Sequence, residues 1–595
     1  MCGVLGQINR ILPIDETEFI RMRDMMLHRG PDGFGHVFRQ EYRMGLAHRR
    51  LSIIDLSPDA AQPMCNEDQT VWITFNGEIY NYLSLRSELI NAGHHFRSKS
   101  DTEVLVHGYE QWGIAGLVLR LKGMFAFGIW DDRSEKLFLA RDRFGIKPIV
   151  YGLIDDSFYF ASELKAIKEA SNVSLTINNH ALADYFTYGY VPCPLTIWQG
   201  VYKLPPGHYL EFNNLDWSYE LHRYWELKPG YSKISDNEAL IRSQELIRQS
   251  LSEHLVSDVP LGLFLSGGYD SGTLLMYLSE LNEQVQSYTV SFPGTDDDEV
   301  VEARALAETF NSPHLVEEIS GSVDAFQLLN EMAPFYDEPF ACSSMINVYQ
   351  ISKVASKFGK VVLSGEGADE LFAGYKWHRK IDAYYKGWNI KRLIKEWLNG
   401  NFSSKNAFFH LYNRSMTGVL NEALSGYFLS DDLKDNIKSR GLYYFEQFYL
   451  KNQNPVKLCQ YIDSLTFIPD HCLFRADMSS MAHSLEIRLP FLDHELYEYV
   501  FNLDPSVYFK AGRKKFLLEE AMKQRVPSSV LNMPKRGFSF IDPERIFDHR
   551  FLDLLHNGNL IKSEILKANQ PLNELSSQAK LQLLNLELWW THHAW

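Results

Sequence analysis

The spacing of short apolar runs changes about a third of the way along the chain, and this change constrains the fold most. Before residue 212, β-type runs such as VWITF (71–75), MFAFGIW (124–130) and KLFLA (136–140) are separated by Gly, Asp and Asn turns. Such runs are typical of antiparallel strands. From about residue 236, strand-like runs alternate with helical repeats, which predicts a parallel sheet covered by helices. The sequence therefore predicts an α+β domain followed by an α/β domain.

A passage rich in proline and turn residues separates the two patterns. We place a first domain at residues 2–212, a linker at 213–235 and a second domain at 236–595. A length of 595 residues agrees with at least two domains, since one domain commonly has roughly 100–200 residues. Residues 376–470 are rich in aromatic residues and helix formers without a chemical motif, and we expect helices there that cover the sheet.

The charge balance excludes some classes of partner. The chain has 59 Lys and Arg against 75 Asp and Glu, a formal charge of −16. An acidic surface gains nothing from counterion release, so we expect neither nucleic acid nor a membrane as a partner. We find no apolar run of 18 residues and no secretory signal, and we expect a cytoplasmic protein. The six cysteines show no CxxC or CxxH spacing, so they predict neither a disulfide framework nor a zinc site.

Cys2 is the most informative residue of the first domain. Removal of the initiator methionine would leave a thiol and a free α-amine on one residue. An α-amine has a pKa of about 7.7–8.0, so it can act as the base for its own thiol without a catalytic histidine. By position alone, a chance cysteine at a chain terminus explains Cys2 equally well.

The rest of the first domain carries a set of segments that favours the catalytic interpretation. They are HRGPDGFG (28–35), AHRRLSIID (47–55), FNGEIYNY (75–82), SDTEV (100–104), LKGMFAFGIWDD (121–132) and LARDRFGIKPIVYG (139–152). With Cys2, they resemble the glutaminase domain of class II, N-terminal-nucleophile glutamine amidotransferases. The resemblance covers most of residues 2–212 and implies a four-layer αββα fold.

The same resemblance implies residue roles. Cys2 would attack the side-chain amide of glutamine, and Asn76 with the backbone N–H of Gly77 would stabilise the oxyanion. Fixed donors are needed because negative charge develops on the tetrahedral oxygen. Arg50 would bind the α-carboxylate of glutamine, while Asp101, helped by Glu78, would bind its α-ammonium. Taken singly, these residues also fit an Asn-Gly turn, a surface ion pair and a helix N-cap, but their joint occurrence after Cys2 favours a glutamine site.

A glycine-rich turn marks a second site. SGGYDSG (266–272) follows the strand that ends at Leu265, and it opens a helix. Two glycines let backbone N–H groups converge, and the helix N-terminus adds a positive dipole end, so this turn is suited to an anion. The chain lacks GxxxxGK[ST], and no complete GxGxxG follows the strand, so the turn is neither a Walker A loop nor a dinucleotide fingerprint.

The turn matches the SGGxDS pyrophosphate loop of ATP-pyrophosphatase enzymes. The match continues through DEPFACSS (337–344), LSGEGADELFAGY (363–375), RADMSSMAHSLEIRLPFLD (475–493) and PKRGF (534–538). Both motif sets, in this order, resemble the glutamine-dependent asparagine synthetase family. The resemblance implies a parallel-sheet ATP-pyrophosphatase domain with extra helices, ATP and Mg²⁺ as cofactors, and glutamine, aspartate and ATP as substrates. It leaves a homodimer open.

The family's functional residues carry over to matching positions of the second domain. The implied ATP and pyrophosphate contacts are Leu265, Ser266, Gly267, Gly268, Asp270, Ser271, Val290, Ser364, Gly365 and Lys535. Asp270 would ligate Mg²⁺, which prefers oxygen ligands. The implied acceptor contacts are Glu366, Asp369 and Arg475, with Glu366 deprotonating the incoming ammonia and Asp369 binding the acceptor's ammonium or the metal. Structural alternatives are a helix-capping acidic turn for Glu366 and ordinary ion pairs for Asp369, Arg475 and Lys535.

The chain departs from the family pattern near the acceptor side. Cys342 and Cys472 lie where members often carry acidic or apolar residues, Tyr269 replaces a commoner aliphatic residue, and FSFIDPERIF (538–547) differs from the usual ending. Two alternatives therefore stay open. One is a related amidotransferase that amidates another carboxylate, such as a uronic-acid sugar for surface polysaccharide. The other is a non-catalytic sensor.

Overall fold

The computed structural model describes residues 2–171, 173–291, 299–319, 324–386, 408, 412, 429–440, 446–510, 513, 515–523, 525–526, 531, 549–567, 572 and 575–593. The strands of the first domain are β1 Gly3–Asn9, β2 Gly33–Arg39, β3 Met44–Arg50, β4 Met64–Cys65, β5 Val71–Ile79, β6 Gly123–Asp131, β7 Lys136–Arg141, β8 Val150–Ile154, β9 Ser157–Ala161, β10 Val201–Lys203, β11 His208–Asn213 and β12 Ser218–Arg223. Its helices are α1 Glu16–Asp24, α2 Tyr82–Asn91, α3 Asp101–Arg120, α4 Leu164–Lys168 and α5 Asn179–Tyr188.

The twelve strands form two six-stranded antiparallel sheets, in the orders β10-β8-β9-β1-β3-β2 and β12-β11-β7-β6-β5-β4. Val4, Leu46, Trp130 and Phe158 pack between the sheets. Helices α2 and α3 cover the outer face of the second sheet, and α1 and α4 cover that of the first. This arrangement confirms the predicted αββα fold, because each sheet buries one face against the other sheet and one against helices.

The second sheet extends beyond the predicted end of the first domain. Strand β12 pairs with β11 from Asn213 opposite Ser218 to His208 opposite Arg223. The turn residues that we interpreted as the start of a linker at 213 instead close this hairpin, with Asp216 Oδ1 accepting from Ser218 N at 3.0 Å. The helix that opens the second domain begins at Asp236, close to the predicted boundary.

The second domain is built on parallel strands separated by helices. Its strands are β13 Leu261–Phe264, β14 Gln286–Ser291, β15 His314–Glu318, β16 Val361–Leu363 and β17 Glu486–Arg488. The described helices are α6 Asp236–His254, α7 Tyr269–Glu280, α8 Val300–Thr309, α9 Ala325–Met332, α10 Ser344–Ala355, α11 Ala368–Leu371, α12 Lys376–Lys386, α13 Asp431–Arg440, α14 Pro455–Leu465, α15 Phe474–Met481, α16 His494–Asn502, α17 Pro505–Tyr508, α18 Phe516–Met522, α19 His549–His556, α20 Asn559–Lys562 and α21 Ser577–His593.

All five strands are parallel, in the order β15-β14-β13-β16-β17. Strands β14 and β15 lie on one side of β13, and strands β16 and β17 lie on the other. The direction in which strands are added therefore reverses at β13. The connections that follow β13 and β16 leave the same edge of the sheet and open a crevice there, the usual ligand position in such sheets. This arrangement confirms the predicted parallel α/β domain. No helix among the described residues is long and apolar enough to span a membrane.

Buried ion pairs join the two domains. The Arg29 side chain is fully buried; its Nη1 lies 2.8 Å from both Asp477 Oδ2 and Glu163 Oε1, and its Nε donates to the Cys2 carbonyl at 3.0 Å. Asp477 belongs to α15 of the second domain. The first residue of the first domain's core is therefore held by a side chain that also binds the second domain.

Candidate active sites

Cys2 lies directly before β1, in the buried space between the two sheets of the first domain. Its backbone nitrogen donates to Asn76 Oδ1 at 2.8 Å, and its sulfur lies 3.9 Å from the Leu51 carbonyl oxygen. Burial raises the pKa of the Cys2 thiol, so a base has to take its proton before sulfur can attack. The nearby His48 is not that base: its Nε2 donates to the Phe75 carbonyl at 3.0 Å, and burial lowers its pKa to about 3.

Asn76 supplies a free hydrogen-bond donor beside this thiol. The residue is fully buried on β5, and its Nδ2 has no partner among the described residues. Because Oδ1 of the same planar amide accepts from the Cys2 nitrogen, the Nδ2 donor lies near Cys2. Gly77 follows where β5 and β6 approach closely: a Cβ there would lie 2.1 Å from the Met124 carbonyl oxygen. Only glycine fits this position.

The predicted glutamine-binding charges surround the same strand. Asp101 begins α3, and its Oδ2 accepts from Ile79 N at 3.0 Å, next to Glu78. Burial raises the pKa of Asp101 to about 6, and burial together with the charge of Glu486 raises that of Glu78. Two buried carboxylates that lack full compensation are suited to a ligand cation, because an ammonium would offset their desolvation.

Arg50 carries the opposite charge at the other side of this site. Its Nη1 donates to the Ser57 carbonyl at 3.0 Å, and its Nη2 donates to the Asp55 carbonyl. These bonds fix the loop that follows β3 and hold the guanidinium at the end of that strand. A carboxylate ligand could therefore meet a cation already oriented by the backbone.

One cation near the glutamine site comes from the second domain and was missed by sequence reasoning. Arg488 on β17 is fully buried; its Nη2 lies 3.4 Å from Glu78 Oε2, and its Nε donates to Glu486 at 2.7 Å. Its Nη1 donates to the His254 carbonyl at 2.7 Å. Only its place in the RLPFLD segment marked it in the sequence, and nothing there connects it to the first domain.

The glycine turn after β13 curls over the start of α7. Ser266 N donates to Ser271 Oγ at 3.0 Å, and Gly268 N donates to Ser266 Oγ at 3.2 Å. Gly267 N donates to a carboxylate oxygen of Glu299 at 3.2 Å. This carboxylate stands where an anionic ligand oxygen would meet the loop, as expected for an N–H group exposed at a helix N-terminus.

Lys515 connects this turn to the loop that follows β16, and it is a second residue that sequence reasoning missed. Its Nζ donates to the carboxylate of Asp270 and lies 2.8 Å from Asp369 Oδ1. Although burial opposes it, the charges of both carboxylates raise the pKa of Lys515. A Cβ on Gly374 would lie 2.0 Å from Asp369 Oδ1, and one on Gly365 would lie 2.8 Å from Asp270 Cβ. The glycines therefore let the two loops meet around one cation.

The predicted acceptor residues form an ion pair at the same crevice. Arg475 on α15 donates through Nη2 to Glu366 Oε1 and through Nη1 to Ser344 Oγ at 2.7 Å. Glu366 Oε2 is buried and has no partner within the described part of the chain. One carboxylate oxygen thus stays available to a ligand or a transferred proton.

Cys342 lies beside this ion pair. Its sulfur is 3.0 Å from Ser344 Oγ, which also accepts from Arg475. Burial favours the neutral thiol, but the charges of His471 and Arg475 and the Ser344 hydrogen bond lower the pKa of Cys342 to about 6. The sulfur is therefore largely a thiolate at neutral pH and places a negative charge at the acceptor side.

Comparison with known proteins gives the family of each half of the chain. Residues 1–225 match the model of the glutamine amidotransferase domain, and residues 242–592 match that of asparagine synthase. The chain belongs to the glutamine-hydrolysing asparagine synthetase family. Members of this family use ATP.

Three relatives cover most of the chain. "Asparagine synthetase [glutamine-hydrolyzing] 1" of Bacillus subtilis (strain 168) is 34% identical over 90% of this chain and 87% of its own length. A "Putative asparagine synthetase [glutamine-hydrolyzing]" of Mycobacterium bovis (strain ATCC BAA-935 / AF2122/97) is 32% identical over 87% of this chain and 83% of its own. "Amidase chry2" of Gibberella zeae (strain ATCC MYA-4620 / CBS 123657 / FGSC 9075 / NRRL 31084 / PH-1) is 30% identical over 87% of this chain and 84% of its own.

The remaining predicted residues of the second site fall partly within and partly outside the described part of the chain. Leu265 and Ser364 are buried, and Val290 is partly exposed near the carboxyl end of β14. Lys535 and the divergent segment 538–547 lie outside the described residues. The roles of all these residues stay predictions.

Proposed function

We propose that this chain makes asparagine from aspartate, with glutamine as nitrogen donor and ATP as activator of the acid. The observation that supports this best is a single chain that carries both a buried Cys2 beside a free amide donor and a glycine turn facing a Glu366–Arg475 pair. Each site could carry out its own reaction without the other. Together they release nitrogen and prepare a carboxylate to receive it.

At the first site, the α-amine of mature Cys2 takes the thiol proton, and sulfur attacks the amide carbon of glutamine. Asn76 Nδ2 and Gly77 N–H donate to the oxyanion that develops; the Cys2 α-ammonium then gives its proton to the amide nitrogen, and ammonia leaves to give a thioester. Water then attacks the thioester and releases glutamate. Asn76 Oδ1 orients the amine meanwhile through the 2.8 Å bond to the Cys2 nitrogen.

At the second site, an oxygen of the aspartate β-carboxylate attacks the α-phosphorus of ATP, and pyrophosphate leaves. The N–H groups of the glycine turn bind its oxygens in place of Glu299. Lys515 and Arg475 offset negative charge on the phosphates and the acceptor. Ammonia then attacks the acyl carbon, AMP leaves, and Glu366 Oε2 accepts the proton lost by nitrogen.

Mg²⁺ fits the residues at the turn. Asp270 and Asp369 both approach Lys515, so two hard oxygen donors already share one cation position. These two carboxylates would hold Mg²⁺, which supplies positive charge for the pyrophosphate leaving group when it is bound. The family pattern implies Asp270 as a ligand, and the position of Asp369 beside the same lysine supports its metal-binding alternative.

A narrow cavity at the domain interface offers a passage for ammonia. Its volume is about 40 Å³, enough to hold a molecule of the size of water or ammonia. Apolar walls come from Ile149, Val150 and Leu473, and Asp477 connects the cavity to Arg29 at the Cys2 backbone. The walls also include charged residues, so the cavity is more polar than the apolar passage that would favour neutral ammonia.

A panel of acceptors tests this proposal. Purified protein given glutamine, ATP and Mg²⁺ should convert aspartate to asparagine with release of AMP and pyrophosphate. A Cys2→Ala variant should lose synthesis from glutamine and keep synthesis from added ammonia. ADP as the nucleotide product would contradict adenylation. Absence of both glutaminase and pyrophosphate release from the wild type would favour a sensor.

The second candidate is an amidotransferase for another carboxylate, such as a uronic-acid sugar. The thiolate of Cys342 beside Arg475 favours it, because it alters the charge that meets the acceptor. Release of AMP with such an acid but not with aspartate would establish it.

The proposal also includes a cytoplasmic location, where ATP and glutamine are available, and a homodimer. Cell fractionation tests the location, and light scattering tests the homodimer.

A further inference from the structure

A cluster of metal-ligating side chains lies in the first domain, outside both sites. It consists of His94, in the connection from α2 to α3, and of His107 and Glu110 on α3; one ligand atom of each lies within 4.8 Å of the others. His107 and Glu110 are three positions apart, so they share one helix face. We propose that these three residues, called the His94 cluster below, bind one Zn²⁺ ion.

The distances within the His94 cluster are close to those of a zinc site. His107 Nδ1 is 3.2 Å from Glu110 Oε2. Two ligand atoms about 2.0–2.1 Å from a tetrahedral zinc ion are about 3.3 Å apart, so this pair already has the required separation. The ring centroids of His94 and His107 are 5.0 Å apart. His94 Nε2 lies 3.1 Å from Gln111 Oε1. The ring is only partly buried, and zinc would take the place of this contact after rotation of the His94 side chain.

Neighbouring groups hold the two α3 ligands as second partners usually do in metal sites. Glu103 Oε1 lies 3.8 Å from His107 Nε2, the ring nitrogen that faces away from Glu110. Glu110 Oε1 accepts from Asn66 Nδ2 at 2.7 Å and from Arg133 Nη2 at 3.1 Å. The donors on the second oxygen of Glu110 fix this ligand for the ion, and the Glu103 carboxylate lies close enough to attract the other ring nitrogen of His107.

The chemistry of the donors selects the metal. Two imidazoles and one carboxylate suit Zn²⁺ and other transition metals, whereas Mg²⁺ prefers oxygen ligands and several waters. Three protein ligands leave a fourth tetrahedral position for water. No cysteine takes part, which is why cysteine spacing in the sequence gave no indication of this site.

Zinc has to displace a proton from His107. Burial opposes that proton, but the neighbouring carboxylates of Glu103 and Glu110 raise the pKa of His107 to about 9. At pH 8 this competition costs about tenfold in affinity, and at pH 7 about a hundredfold. Zinc binding is therefore best measured at pH 8.

Bound zinc would fasten the connection between α2 and α3 to the helix that follows it. That connection carries His94 and ends at Ser100, the N-cap of α3, immediately before Asp101. Arg97 N and Ser98 N already donate to the Glu103 carboxylate at 2.8 and 2.7 Å. Zinc adds a further link near Asp101, and this effect on stability does not depend on the proposed function.

Zinc titration of the full-length protein tests the proposal. Metal-free protein at pH 8 with millimolar Mg²⁺ is titrated against a chromophoric zinc chelator. Wild type should bind one equivalent more than His94→Ala or Glu110→Gln, with an affinity loss of at least about tenfold in each variant. His95→Ala is the matched control, because His95 is adjacent and exposed but outside the His94 cluster. Thiols such as Cys2 contribute equally to all variants.

The thermal midpoint gives a second measurement. Zinc should raise the midpoint of the wild type and of His95→Ala, and it should leave that of His94→Ala unchanged. Without zinc, the midpoints of the two histidine variants should agree, which shows that both fold. Equal zinc binding by the two variants, or no zinc uptake by the wild type, would overturn the proposal. Glutaminase activity is not the readout, so this result stands apart from the test of the proposed function.

Discussion

Replacing Asn76 by aspartate separates the two functions that one buried amide is expected to perform. The carboxylate keeps an oxygen for the 2.8 Å bond from the Cys2 nitrogen, but it lacks the Nδ2 donor, which has no partner among the described residues. Loss of one oxyanion donor typically costs about 10²–10³ in kcat, or ~2.7–4 kcal/mol. The new charge lies two residues from the buried Glu78, so we expect the upper part of this range for glutaminase kcat.

Two assays on the same preparation check this prediction. Glutamate release from glutamine reports the first site, and pyrophosphate release with added ammonia reports the second. Asn76→Asp should lose only the first activity. Asn76→Ala removes the donor and also the bond to the Cys2 nitrogen. A hydrogen bond to a charged group is worth about 1.5–3 kcal/mol, so Asn76→Ala should lose more glutaminase activity than Asn76→Asp. Glutaminase kcat of Asn76→Asp above one tenth of wild type would refute the reasoning.

Three other changes test the remaining charges. Burial raises the pKa of Asp101 to about 6, above its usual 3.8. Below pH 6, protonation of this carboxylate should lower glutamine kcat/KM by a further factor of about ten per pH unit, beyond the fall caused by protonation of the Cys2 amine, and Asp101→Asn should remove only this further fall. Lys515→Met leaves Asp270 and Asp369 without their shared cation, so pyrophosphate release should be lost. The free energy of unfolding should decrease by about 3 kcal/mol, the lower end of the range for breaking a buried pair, because both carboxylates are partly exposed. An unchanged melting curve would contradict this. The rate of Cys342 alkylation by iodoacetamide should be half-maximal near pH 6. Cys342→Ser serves as the control. A half-maximal rate near pH 8–9, as for an ordinary thiol, would contradict the thiolate.

The sequence predicted features whose signals are local. Strand periodicity and the glycine turn at 266–272 each lie within a few residues, and both appear where they were expected. The first domain was predicted to end too early, because turn residues indicate where a strand ends but not whether the next strand pairs with it. Strand β12 does pair back, and the sheet extends to Arg223.

Residues that act across long separations carried no such signal. Lys515 reaches Asp270 across 245 residues of chain, and it stands in a run of basic residues that resembles any solvated surface. Arg488 reaches Glu78 from the other domain. His94 and His107 are 13 positions apart, with one in a connection and one on a helix, a spacing that matches no metal motif. Such pairs are fixed by tertiary packing, which periodicity does not encode.

Helix α15 faces both reaction centres. Asp477 binds Arg29, which holds the backbone of Cys2, and Arg475, two positions earlier, pairs with Glu366. Any substitution that shifts this helix to suit a different acid therefore also disturbs the residue that frees nitrogen. A first domain grafted from a relative should therefore couple to this second domain only if it brings a cation for Asp477.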